Sequence, residues 1–110
     1  MPQALQLYEA GDGPVMVTVE YHVAEDKRDA FLQAVDHLSH GRRRDGAYAW
    51  AVYEDAEHRG RLLETFYLES LAEHLRQHER VTKADRELQH AIRQLTLDEP
   101  LVTHFVSTGP

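Results

Sequence analysis

Val15 to Val23 alternates strictly, with Val15, Val17, Val19, Tyr21 and Val23 on one side and Met16, Thr18, Glu20 and His22 on the other. Period-two alternation in β-branched residues predicts a strand with one side on a core. From Ala24 to His40 the period changes, and Phe31, Ala34, Val35 and Leu38 form a helical stripe. Asp26 is the expected cap, and Gly41 the expected stop, with Arg42, Arg43 and Arg44 just beyond it. Ala47 to Glu54 alternates again, alanines with Tyr53 against Tyr48, Trp50, Val52 and Glu54. Small residues let a helix approach closely, so the alanine side is expected under the helices. The aromatic side is then left for a ligand cleft or a partner sheet. Asp55 to Gly60 is a polar connection of hairpin length, and Arg61 to Glu69 reads as the third strand.

Ser70 followed by Glu73 is a capping box, after which Leu71, His74, Leu75 and His78 share one helical stripe. Thr82 and Asp85 can cap a further helix with Leu88, Ala91, Ile92 and Leu95 inward, stopped at Asp98-Glu99-Pro100. Leu101 to Thr108 is the last strand. The order β-α-β-β-α(α)-β predicts an α+β, ferredoxin-like βαββαβ fold with an extra helix. The domain is expected over 15–110, after a loosely attached segment over 1–14 that ends in Gly11-Asp12-Gly13-Pro14.

Composition narrows the chemistry. At 110 residues the chain makes one small domain, for which pairing with a second copy is an economical way to enclose a cleft. A net charge of -7 argues against nucleic acid and against docking on anionic lipid. The three arginines read as a solvated, dipole-complementing helix end. Without cysteine there are no disulfides, thiolate nucleophiles or cysteine–metal sites. The first residues show neither the positive nor the apolar region of a signal peptide, and no apolar run approaches the ~20 residues of a membrane span. The expectation is a cytoplasmic protein without membrane insertion.

Glu64 is the unusual residue, a carboxylate between Leu62, Phe66 and Leu68 on a predicted strand. Buried, it must be paired or protonated. Either it forms a salt bridge, with Arg61 or Arg76 as candidates, or it serves as an acid or base. His78 either packs beside Leu71 and Leu75 or lines a pocket as donor or base. His74 and His78 lack the further ligands of a metal site, so no metal is expected.

The stretch from Asp45-Gly46-Ala47-Tyr48 through Trp50, Tyr53, Asp55 and Glu64-Thr65-Phe66 to Glu69–Thr82 resembles the antibiotic-biosynthesis-monooxygenase type of the dimeric α+β-barrel superfamily. It is most similar to the version found as the C-terminal domain of some major-facilitator exporters. The resemblance, with the first strand, spans nearly everything after Gly13. It implies a homodimer of ferredoxin-like units whose sheets face each other. It also implies an aromatic, polyketide-like or otherwise hydrophobic small-molecule ligand, and oxygenase chemistry without metal or cofactor in the catalytic members. Phe66 stands where that family usually has Trp, and the Glu64-to-His78 spacing is a few residues longer than usual. Since the chain opens on Met1 with no membrane part, a free-standing protein or detached relative is expected.

The expected catalytic candidates are Glu64, His78 and His104. The expected substrate-binding residues are Thr18, Glu20, Tyr48, Trp50 and Phe66. Glu20, Trp50, Glu64 and Phe66, with His104, are expected together on the sheet side away from the helices. Two readings follow, a cofactor-independent monooxygenase and a non-catalytic dimeric ligand-binding or regulatory domain.

Overall fold

The structure is a computed structural model that describes residues 13–72 and 82–108. Strand β1 (Val15–His22) leads through a single 3-10 turn (Glu25–Lys27) into helix α1 (Arg28–Arg44). Strands β2 (Tyr48–Glu54) and β3 (Arg61–Leu68) follow, then helix α2 (Lys83–Gln94) and strand β4 (Leu101–Val106). The sheet order is β2-β3-β1-β4 with every neighbouring pair antiparallel, the ferredoxin-like α+β arrangement expected from the sequence. The central helix beyond Ala72, with the Ser70–Glu73 capping box, and the 1–12 portion of the N-terminal segment lie outside the described residues.

The odd residues of β1, from Val15 to Tyr21, are buried on the helix side with Phe31, Val35 and Leu38 of α1. Tyr21 meets Phe31 edge to face, ring centroids 4.9 Å apart. Asp26 does not cap α1; it sits in the 3-10 turn, and the helix starts without a side-chain cap. Thr82 does cap α2, its Oγ1 accepting from Asp85 N–H at 3.1 Å while Asp85 accepts in return from Thr82 N–H.

Two local features set the side chains of the site. First, α1 runs through Gly41. The left-handed residue that ends it is Gly46 (φ 101°), with Ala47 N–H on Arg42 C=O and Gly46 N–H on Arg43 C=O. These are the two bonds of a Schellman motif. Arg42 therefore lies inside the helix, on the line Phe31, Val35, Leu38, rather than in a solvated tail. Second, β2 carries a bulge. Tyr48 faces Tyr67 and Ala51 faces Thr65, so β2 spends one more residue than β3 there, and Ala49 takes the left-handed φ of 53°. The expected alternation of β2 breaks at this point. Tyr48, Ala51 and Tyr53 fall on the open side of the sheet, and Trp50 and Val52 on the helix side.

Candidate functional site

Strand pairing decides which candidates meet. Phe66 lies opposite Val17, and Glu64 opposite Val19, so both face the helices. The expectation that they look away from the helices is corrected. Alternation separates the two sides of β3 but does not say which side the helices cover. His104, opposite Val17 on β4, shares the helix side. Thr18, Glu20 and Tyr48 lie on the open side. The sheet thus divides the candidate set, and Glu20 and Glu64 do not face one volume. His74, His78 and Arg76 lie outside the described residues.

Glu64 is fully buried and its hydrogen bonding is complete. Oε1 accepts from Tyr21 Oη at 2.8 Å and Arg42 Nη2 at 3.2 Å; Oε2 accepts from Trp50 Nε1 at 2.9 Å and Arg42 Nε at 3.0 Å. Four donors fill the acceptor sites of one carboxylate, with the Arg42 fork holding both oxygens. The salt-bridge partner is thus Arg42. Arg61 instead binds Glu20 and Asp55 across the open face. Burial, and then the negative charge of Glu64, push the Tyr21 hydroxyl well above its ordinary range, so it stays a donor. Burial of Arg42 disfavours its charge, but the Glu64 carboxylate outweighs this and raises its pKa.

The arginine pair also covers the aromatic residues. The Arg42 guanidinium lies 4.9 Å from the Phe66 ring centre, and that of Arg43 lies 5.5 Å from Trp50. Glu64, Trp50, Phe66, Arg42 and Arg43 form one contiguous group between β2, β3 and the end of α1. Sequence reasoning missed Arg42 and Arg43 as members. The available signal was spacing, since Arg42 continues the run 31, 35, 38 by four residues.

The open face has its own network. His22 Nδ1 lies 2.9 Å from Asp98 Oδ2, and its Nε2 lies 2.9 Å from Glu20 Oε2. Glu20 Oε1 accepts from Arg61 Nη2 at 2.9 Å, and Asp55 Oδ2 from Arg61 Nη1 at 2.8 Å. The hydrogen bonds to Asp98 and Glu20 raise the His22 pKa, and those from Arg61 and His22 lower that of Glu20. Around this chain the open face is apolar, with Tyr48, Tyr53, Leu101 and Phe105 exposed and Tyr48 stacked on Tyr67 at 5.7 Å. Among the described residues no group of three or more His, Asp or Glu is placed to hold a metal, and no helix is long and apolar enough to cross a membrane.

The chain has one matching family and several solved structures of the same fold. A family described as transmembrane secretion effector matches residues 2–109. No curated protein matches. Solved structures share the fold at low identity. A Caulobacter crescentus protein with the provisional name antibiotic biosynthesis monooxygenase is 14% identical, with TM-score 0.77 over 98% of this chain and 100% of that one. One from Bordetella bronchiseptica with the same provisional name is 17% identical, with TM-score 0.72 over 88% and 99%. A Mycobacterium tuberculosis protein is 21% identical, with TM-score 0.72 over 88% and 97%.

Proposed function

We propose that this chain, which belongs to the transmembrane secretion effector family, is a domain that binds aromatic, polyketide-like small molecules on the helix side of its sheet. The observation that carries the reading is the state of Glu64. A base must have a free lone pair within reach of the proton it removes, and both Glu64 oxygens are already occupied by Tyr21, Trp50 and Arg42. Glu64 is therefore read as the anchor that orients Trp50 and Arg42, with the indole offered to a ligand. The description of the family as secretion effectors supports a role tied to export, like that of an exporter's C-terminal domain. The provisional names of the structural neighbours support the aromatic ligand class.

The experiment is a titration of the chain with aromatic polyketides and anthrone-like compounds, reading binding by calorimetry and turnover by oxygen consumption. Binding without oxygen uptake is the expected result. Oxygen uptake that depends on protein would replace this reading with the monooxygenase one, and no binding by any compound would remove both.

We also propose that the open face pairs with a second copy. Tyr53 and Leu101, 61% and 62% exposed, leave it too apolar for a solvated sheet. Sedimentation is expected to give a dimer at micromolar concentration; a stable monomer there would refute the pairing.

A further inference from the structure

Of the two described arginines without a carboxylate partner, Arg43 and Arg86, Arg43 is the one that lies over an aromatic ring. Arg28, Arg42, Arg44, Arg59, Arg61 and Arg93 each lie within 4.0 Å of a carboxylate. Among the described residues Arg43 has no such partner, although the chain carries 19 acidic residues. Its position is nevertheless defined. It sits in the last turn of α1, held by the Schellman motif, with its guanidinium over Trp50. The guanidinium carbon lies 5.5 Å from the ring centre, and its N–H groups, which match a carboxylate fork, have no acceptor among the described residues.

The ring beneath is held in place too. Trp50 Nε1 donates to buried Glu64, which the adjacent Arg42 grips with two bonds. Neighbouring arginines therefore do different things: Arg42 is neutralised inside, and Arg43 holds a charge without a carboxylate partner among the described residues over an oriented indole. Preorganised partners of this kind lose little freedom on binding.

We propose that Arg43 and Trp50 form a recognition pair for planar aromatic anions, the anionic oxygens on the Arg43 N–H edge and the ring against the indole. Carboxylates qualify, as do phenolates and enolates ionised near neutral pH. This rests on the small-molecule reading above and narrows its ligand class.

The test uses a matched pair, naphthoate and naphthamide, which share a ring system and differ in charge. Calorimetry gives affinity, and Trp50, the only tryptophan, reports contact by its emission. The wild type is expected to bind naphthoate about tenfold or more tighter than naphthamide, the scale of one charge-assisted contact. The advantage should shrink as ionic strength rises from about 0.01 M to about 1 M, over which the Debye length falls from ~30 Å to ~3 Å. Arg43→Gln should remove the naphthoate advantage and leave naphthamide unchanged, and Arg43→Lys should restore part of it. Arg86→Gln, at another arginine without a carboxylate partner among the described residues, should change neither. Equal affinities in the wild type, or a naphthoate preference that survives Arg43→Gln, would overturn the proposal and leave small-molecule binding standing. Binding of neither probe at millimolar concentration would overturn both.

Discussion

Arg42→Leu tests whether the buried Glu64 carboxylate is held by the α1 arginine. The substitution keeps the apolar stem and removes two of the four donors on Glu64, those at 3.0 and 3.2 Å. Only the neutral Tyr21 and Trp50 donors then remain on a carboxylate with no exposed surface. Two charged hydrogen bonds are worth about 1.5–3 kcal/mol each, and breaking a buried ion pair from one side costs about 3–5 kcal/mol. Arg42 is 24% exposed, so the lower half of that range applies, about 3–4 kcal/mol. At roughly 4 °C per kcal/mol this is a fall in Tm of about 12–16 °C. Urea unfolding followed by Trp50 emission measures it. The sharper readout is a sign change. Glu64→Gln alone should destabilise by about 1–3 kcal/mol, because its amide points a donor at the Arg42 donors. In the Arg42→Leu background the same change removes an unpaired buried charge and should stabilise. If Arg42→Leu costs less than about 1 kcal/mol, or Glu64→Gln destabilises equally in both backgrounds, the ion-pair account is wrong.

Two further predictions concern the frame. At Gly60 (φ 93°) an added Cβ would clash with the Val23 carbonyl oxygen, so Gly60→Ala should destabilise by about 2 kcal/mol or more in urea melts; an unchanged midpoint would contradict the turn geometry. The raised pKa of His22 gives the open-face network a pH signature. The stability it adds is fully present below the ordinary value of 6.5 and is lost as pH rises through the higher folded value. The Tm advantage of wild type over His22→Gln should therefore be largest near pH 6 and shrink in alkali, and a difference independent of pH would show that His22 does not link Glu20 and Asp98.

The fold was legible because each element has one clean apolar side. β1 states its two sides in alternating valines, and α1 its stripe in Phe31, Val35 and Leu38. The site was less legible, for three local reasons. On β3 both sides are apolar, Leu62 and Phe66 against Leu63 and Tyr67, so only pairing with Val17 and Val19 shows that Glu64 points inward. On α1 two glycines compete as the stop, and the competition between Gly41 and Gly46 settles whether Arg42 is a tail residue or the partner of a buried charge. On β2 nothing in alanine–aromatic alternation announces that Ala49 will take a left-handed conformation and reverse the sides of its neighbours.

That reversal at Ala49 also bears on how such a domain can diversify. In an unbroken strand an inserted or deleted residue sends every later side chain to the opposite face. Here the offset is already absorbed between Tyr48 and Ala51. Where the bulge begins, Tyr48 joins the tyrosine stack on the open face, and within it Trp50 joins Glu64 on the other. Two residues apart on one strand, the tyrosine and the indole therefore sit in separate packing environments on opposite sides of the sheet. A substitution at Trp50 is thus expected to leave the open-face tyrosine stack in place, and one at Tyr48 to leave the Glu64 cluster beneath α1 undisturbed.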